Sequence, residues 1–180
     1  MPNHIQNRIT LDGDPKKITE ILEKIKNDKY GIGTIDFQKI IPMPSNIYRG
    51  DLGPKEREQY GENNWYDWSV RNWGTKWNAY DFPETPYKFG EPLCFLTAWS
   101  APHSILEKLT QMFPDIEITH EWADEDIGQN CGRRCYQGGE QTEEWTPDFD
   151  EEAVEYACEV WGTSQEDEGL LQDDPALTEC

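Results

Sequence analysis

The chain has 180 residues, 36% of them apolar and 12% aromatic, and a formal net charge of −20. That length fits one domain plus a tail, and no run approaches the roughly 18 uninterrupted apolar residues of a membrane span. The acidity argues against direct binding of nucleic acid, and five Cys without framework spacing argue for free thiols in a cytoplasm rather than a disulfide scaffold.

The opening stretch MPNHIQNRITLDGD has no apolar signal core, so a soluble cytoplasmic protein is expected. Residues 3–11 alternate loosely through Ile5, Ile9 and Leu11, which predicts a short strand. Asp14 before Pro15 reads as an N-cap with proline at the first helical position, and Ile18, Ile21, Leu22 and Ile25 follow at helical spacing. That helix is expected to run to Lys29-Tyr30-Gly31, with a second strand over residues 34–41 (TIDFQKII).

Residues 45–61 read as a loop or short surface helix. Residues 63–81 carry Trp65, Trp68, Trp73 and Trp77, read as a helix, a turn at Gly74 and an extended segment from Lys76 to Tyr80. Residues 91–99 (EPLCFLTAW) have the apolar pattern of a buried, central strand. Pro102 opens a helix carrying Ile105, Leu106, Leu109 and Phe113, and Pro114 closes it. Ile116, Ile118, His120 and Trp122 alternate as a strand, and residues 133–137 add one more before Gly138-Gly139.

Residues 150–161 form an acidic amphipathic helix presenting Ala153, Val154, Ala157 and Trp161. Residues 1–147 thus read as one domain with an insertion at about 45–90, residues 148–162 as an acidic helix packed on it, and residues 163–180 as an acidic, disordered tail. The element order predicts an α+β fold: a ferredoxin-like, split βαβ antiparallel sheet with helices on one face, a Trp-rich insertion and the acidic C-terminal helix. Residues 115–180 hold only Arg133 and Arg134 against 21 carboxylates, whereas residues 1–60 are almost neutral.

Several segments resemble the YubB-like ferredoxin-fold domain family of bacterial plasmids, prophages and other mobile elements. They are NRITLDGD with its following helix, FQKIIPMP at 37–44, NWYDWSVRNWGTKWNAYD at 64–81, LTAWSAPHSILEKLTQMFPDIEITHEW at 96–122 and the glycine-containing stretch after it, together spanning most of residues 3–140. The resemblance implies the fold and a mobile-element origin. It carries over no catalytic residues, and the chain lacks the clustered cysteines of an iron–sulfur centre.

The four tryptophans form a candidate aromatic platform beside Arg71 and Lys76, although packing between insertion and sheet is the preferred explanation. Cys131 and Cys135, with His120 and Cys158, make only one loose pair where zinc sites show two tight ones, so no metal or other cofactor is expected. Paired arginines such as Arg133-Arg134 can lower a neighbouring thiol's pKa, but no base with motif context accompanies them, so no reactive thiol is expected. His4, His103 and His120 fall in no triad spacing, and His103 reads as a surface residue at a helix start. Nucleotide-loop, dinucleotide and hydrolase motifs are all missing, so a non-catalytic protein is expected.

The leading expectation is an accessory protein whose carboxylates dock onto a basic, nucleic-acid-binding surface of a host or defence-system protein, as an inhibitor of that system. Asp124, Glu125, Asp126, Glu151, Glu152, Glu155 and Glu159 are the candidate contacts. An RNA- or nucleotide-binding module is the alternative, and an enzyme with the tryptophans as a pocket wall ranks below it.

Overall fold

The computed structural model describes residues 1–170. Strand β1 (His4–Asp12) leads to α1 (Pro15–Ile25), then to the insertion helices α2 (Pro54–Tyr60) and α3 (Trp65–Trp73). There follow β2 (Leu93–Ala98), α4 (His103–Met112), β3 (Glu117–Asp124), β4 (Gly132–Gln137), β5 (Glu140–Trp145) and α5 (Asp150–Trp161). The five strands pair antiparallel in the order β2-β1-β3-β4-β5. Consequently β2 and β3 are parallel, joined by α4, with β1 inserted between them, which is the split βαβ arrangement of a ferredoxin-like sheet.

Local chemistry explains the helix starts. The Asp14 carboxylate accepts from Lys16 N at 2.9 Å and Lys17 N at 3.2 Å, and Asn64 Oδ1 accepts from Asp67 N at 3.0 Å. The α1 helix stops at Ile25 rather than near Gly31, because Lys26 turns to ψ 142° and Asn27 to Gly31 close a tight turn. The two-residue period of the strands then sorts side chains to the two faces of the sheet. Ile9, Leu93, Phe95, Ile118 and Tyr136 meet Ile18, Ile21, Leu22 and Ile25 of α1 and Ile105, Leu106 and Leu109 of α4. The opposite face buries Ala123 and Cys131 under Ala153, Ala157 and Val160 of α5.

Four local expectations change. Residues 34–41 are not a strand: Asp36 Oδ1 caps Gln38 N at 3.0 Å and opens a 3-10 turn over residues 37–39, so Phe37 and Ile40 enter the core three residues apart. Residues 76–80 give only the single bridge between Tyr80 and Leu96. β2 lies at the margin of the sheet, not its centre. Its residues are buried by the helices of one face and by the 75–80 segment. Trp99 leaves that strand in the left-handed region, at φ 71°, and is exposed.

β5 carries no apolar alternation (EQTEEW) that would mark it as a strand; it forms because Gly138 and Gly139, at φ 62° and 88°, make the doubly positive turn that folds β4 back on itself. Its charged side chains protect an open sheet edge.

Candidate functional site

The acidic residues divide according to what they touch. Asp124 is only 6% exposed, and its Oδ1 is occupied by Asn3 Nδ2 at 3.1 Å and Asp126 N at 3.0 Å. It closes the turn after β3 and presents no carboxylate outward, a correction to its expected place among the docking groups. Glu125 and Asp126 are exposed on the same turn, where Glu125 accepts from His4 N at 3.0 Å and Asp126 from Asn3 Nδ2 at 3.1 Å.

Glu151, Glu152, Glu155 and Glu159 are exposed on α5 while Ala153, Ala157 and Val160 face the sheet. Glu151, Glu155 and Glu159 succeed one another at four-residue steps, a rise of about 6 Å each along one side of the helix. The helix is held rigidly: Trp161 Nε1 donates to Asp124 O at 2.9 Å and Tyr156 Oη to Gly132 O at 2.8 Å. Eight ion pairs occur among the described residues, and none involves Glu125, Asp126, Glu151, Glu152, Glu155 or Glu159.

The tryptophans also divide. Trp73 is 3% exposed, donates from Nε1 to Ile41 O at 2.8 Å, and meets Phe37 and Trp68 edge-on. Trp65 and Trp68 pack against the same core, with Trp65 Nε1 donating to Gly50 O at 3.1 Å. Trp65, Trp68 and Trp73 therefore do not belong to an open platform, because their rings fill the seam between insertion and sheet. Trp77 is 37% exposed, and Trp99, which sequence reasoning assigned to a buried strand, is 45% exposed. Lys76 Nζ lies 4.6 Å from the Trp77 ring centre and 4.7 Å from that of Trp99. The only sequence signal for Trp99 was its place just before Ser100-Ala101-Pro102, where a strand must end.

A cleft of about 560 Å³ lies beside this platform, lined by His4, Tyr80, Asp81, Leu96, Glu125, Ile127, Trp161 and Glu168. His4 Nδ1 and Tyr80 Oη are 2.6 Å apart. Burial, then Glu125 and Asp81, push the Tyr80 hydroxyl up to about 12, so it stays protonated and can donate. Aromatic walls with carboxylates at the rim suit a cationic side chain. None of Trp65, Trp68, Trp73 or Trp77 lines this cleft.

A polar network lies between α4 and the sheet. His120 is fully buried, with Nε2 3.0 Å from Asn7 Oδ1; Asn7 Nδ2 donates to Thr97 Oγ1 and to Ile5 O, each at 2.9 Å. Because the Asn7 amide nitrogen donates, its oxygen must accept, so His120 carries its proton on Nε2 and leaves Nδ1 without a partner. His103 is not a surface residue: Nδ1 is 2.7 Å from Tyr136 Oη, and the ring sits edge-on to Trp122 at 4.8 Å because α4 docks on the sheet. Burial, reinforced by Arg134, pulls the His103 imidazole down to about 4, and burial pulls His120 well below its usual value. Arg134 lies over the Trp122 ring and pairs with Glu144 at 2.6 Å, far from any activating role toward Cys135, which faces the other side of the sheet. Burial raises the Cys131 thiol. Among the described residues no three His, Cys, Asp or Glu side chains converge as metal ligands.

The sheet order and its helices define a ferredoxin-like α+β protein. Residues 72–166, more than half of the chain, match the family described as the ferredoxin-like domain in Api92-like protein, and the chain belongs to that family. The crystal structure of the protein Api92 from Yersinia pseudotuberculosis is similar over 63% of this chain at 17% identity, with a TM-score of 0.45. The match covers 40% of the Api92 chain. No curated protein matches. No helix among the described residues is long and apolar enough to cross a membrane.

Proposed function

We propose that this chain is a non-catalytic acidic binding protein that docks onto a basic, nucleic-acid-binding surface of a partner protein in the cytoplasm. The observation that carries this reading is the row of exposed carboxylates on α5, fixed to the sheet by Trp161 and Tyr156 and left without cationic partners. A rigid row of negative charge offers a basic surface what a phosphate backbone offers it, at little ordering cost. Glu125 and the neighbouring aromatic cleft extend that surface with a place for a Lys or Arg side chain. The resemblance to YubB-like proteins of mobile elements supports the narrower reading of an inhibitor of a host defence system.

A lysine- and arginine-rich peptide of about 15 residues, titrated by Trp fluorescence, provides the test. Its affinity is expected to fall at least tenfold between ~0.05 and ~0.5 M salt and to fall comparably in the Glu151→Gln, Glu155→Gln, Glu159→Gln triple variant. Equal binding by that variant overturns the reading. Salt-sensitive binding of single-stranded oligonucleotide instead, abolished by Trp99→Ala, replaces it with the nucleic-acid module that the Trp77, Lys76 and Trp99 stack favours.

A further inference from the structure

The sheet is incompletely closed on its β2 side. Leu96 exchanges both backbone hydrogen bonds with Tyr80, at 2.8 and 3.1 Å. Ala98 donates its N–H to Thr75 Oγ1 at 3.2 Å, and its carbonyl accepts from the same hydroxyl at 2.8 Å. Backbone groups facing one edge recur every second residue of a strand, so the next outward-facing residue is Cys94. Among the described residues, nothing hydrogen-bonds to the Cys94 N–H or C=O on that edge.

The reason lies in the chain that would have paired there. Asp81 takes φ 55° directly after the Tyr80 bridge and turns the backbone away from β2. Pro83 and Pro86, which follow, have no N–H to offer a ladder. The segment after α1, which a second split βαβ unit would have placed at this edge, is drawn into the core by its 3-10 turn.

Beside Cys94 this leaves a cavity of about 1080 Å³, walled by Tyr30, Ile32, Phe82, Pro83, Pro86 and Tyr87. Gly33, at φ 96°, lets the two walls meet; a Cβ there would stand 2.3 Å from Tyr87 Cβ. Asp81, Glu84 and Glu91 line the cavity and no Lys or Arg does, although Glu91 is shared with the exposed Lys88 outside it.

We propose that the Cys94 edge of β2 is a strand-addition site that takes an extended, basic segment of another protein. The free N–H and C=O pair with the incoming backbone, the apolar walls receive its alternate side chains, and the carboxylates hold its Lys or Arg residues. Charge decides the occupant. Residues 171–180 contain three carboxylates and no base, and a second copy would bring the same acidic rim, so both are opposed by like charge. The site is separate from the carboxylates of α5 and does not rest on the function proposed above.

The probe is an eight-residue peptide of alternating valine and arginine, followed by amide spectra and hydrogen exchange on the full chain. On saturation the Cys94 amide is expected to shift and to gain about tenfold protection. The same peptide N-methylated at alternate residues should bind at least tenfold more weakly, since it keeps charge and side chains but cannot complete a ladder. Glu84→Gln should weaken the response of the Cys94 amide to the unmodified peptide, while the α5 triple variant should leave that response unchanged. Equal binding of the N-methylated peptide, or shifts confined to α5 with Cys94 untouched, overturns strand addition; the second result leaves the acidic-helix reading standing.

Discussion

Burial governs His103 and His120, two residues that spacing alone marked as unremarkable. Each is forced toward the neutral form by loss of water, and His103 also faces the Arg134 guanidinium, whose charge Glu144 only partly offsets. The unfolded chain takes up protons near the usual histidine value of 6.5, whereas folded His103 resists until about 4. Between those values the unfolded state binds more protons, so stability falls as pH falls, by up to about 1.4 kcal/mol per pH unit for each imidazole. Denaturant midpoints measured from pH ~7 down to pH ~4 should show this slope, and His103→Gln should lower it by about one proton. An unchanged slope in that variant would mean that His103 is solvated in the native state.

At the scale of elements, α5 shows stability given up for a surface. Asp150, Glu151 and Glu152 in its first turn suit the positive end of the helix dipole, but Glu159 lies in the last turn, which contains no basic residue. Glu159 also follows Glu155 at four residues, a repulsive spacing. Glu159→Gln should therefore stabilise by a few tenths of a kcal/mol, and Glu151→Gln should be neutral or destabilising, as read from thermal melts at low salt. The reverse order would show that the carboxylates are too well solvated to sense the helix.

The same elements show how far the sequence could be read. Asp14-Pro15, the Ile/Leu spacing of α1 and α4, and the alternation of β1 and β3 are local patterns, and each element forms where its pattern stands. The 34–41 segment misled because Ile35 and Phe37 fit a two-residue period, while Asp36 and Asn78, 42 residues apart, cap the 3-10 turn that prevails. For the site, the exposed carboxylates of α5 were legible from helical periodicity. The inward turn of Asp124, the exposure of Trp99 and the open edge at Cys94 depend on backbone angles and distant partners that no local pattern encodes.

Across the whole molecule, the nearly neutral N-terminal part builds the core with α1 and α4, and the acidic part covers the opposite face of the sheet with α5. These two contributions to stability should separate on truncation. Removing residues 163–180 leaves α5 intact, with Gly162 at φ 71° still available to end it, and takes away mostly exposed polar chain over residues 163–170. The expected cost is below ~1 kcal/mol. Removing residues 148–180 strips Ala153, Ala157 and Val160 from Ala123, deletes the Trp161 bond to Asp124 O and the Tyr156 bond to Gly132 O, and exposes one face of the sheet. Loss of a large packed aromatic alone is worth about 3 to 5 kcal/mol, so this cut should lower stability by at least that amount and bring aggregation through the uncovered face. Chemical denaturation of the two truncated chains beside the full chain measures both differences. Equal stability of the two would mean that α5 is only a solvated appendage, and the rigid carboxylate row would lose its physical basis.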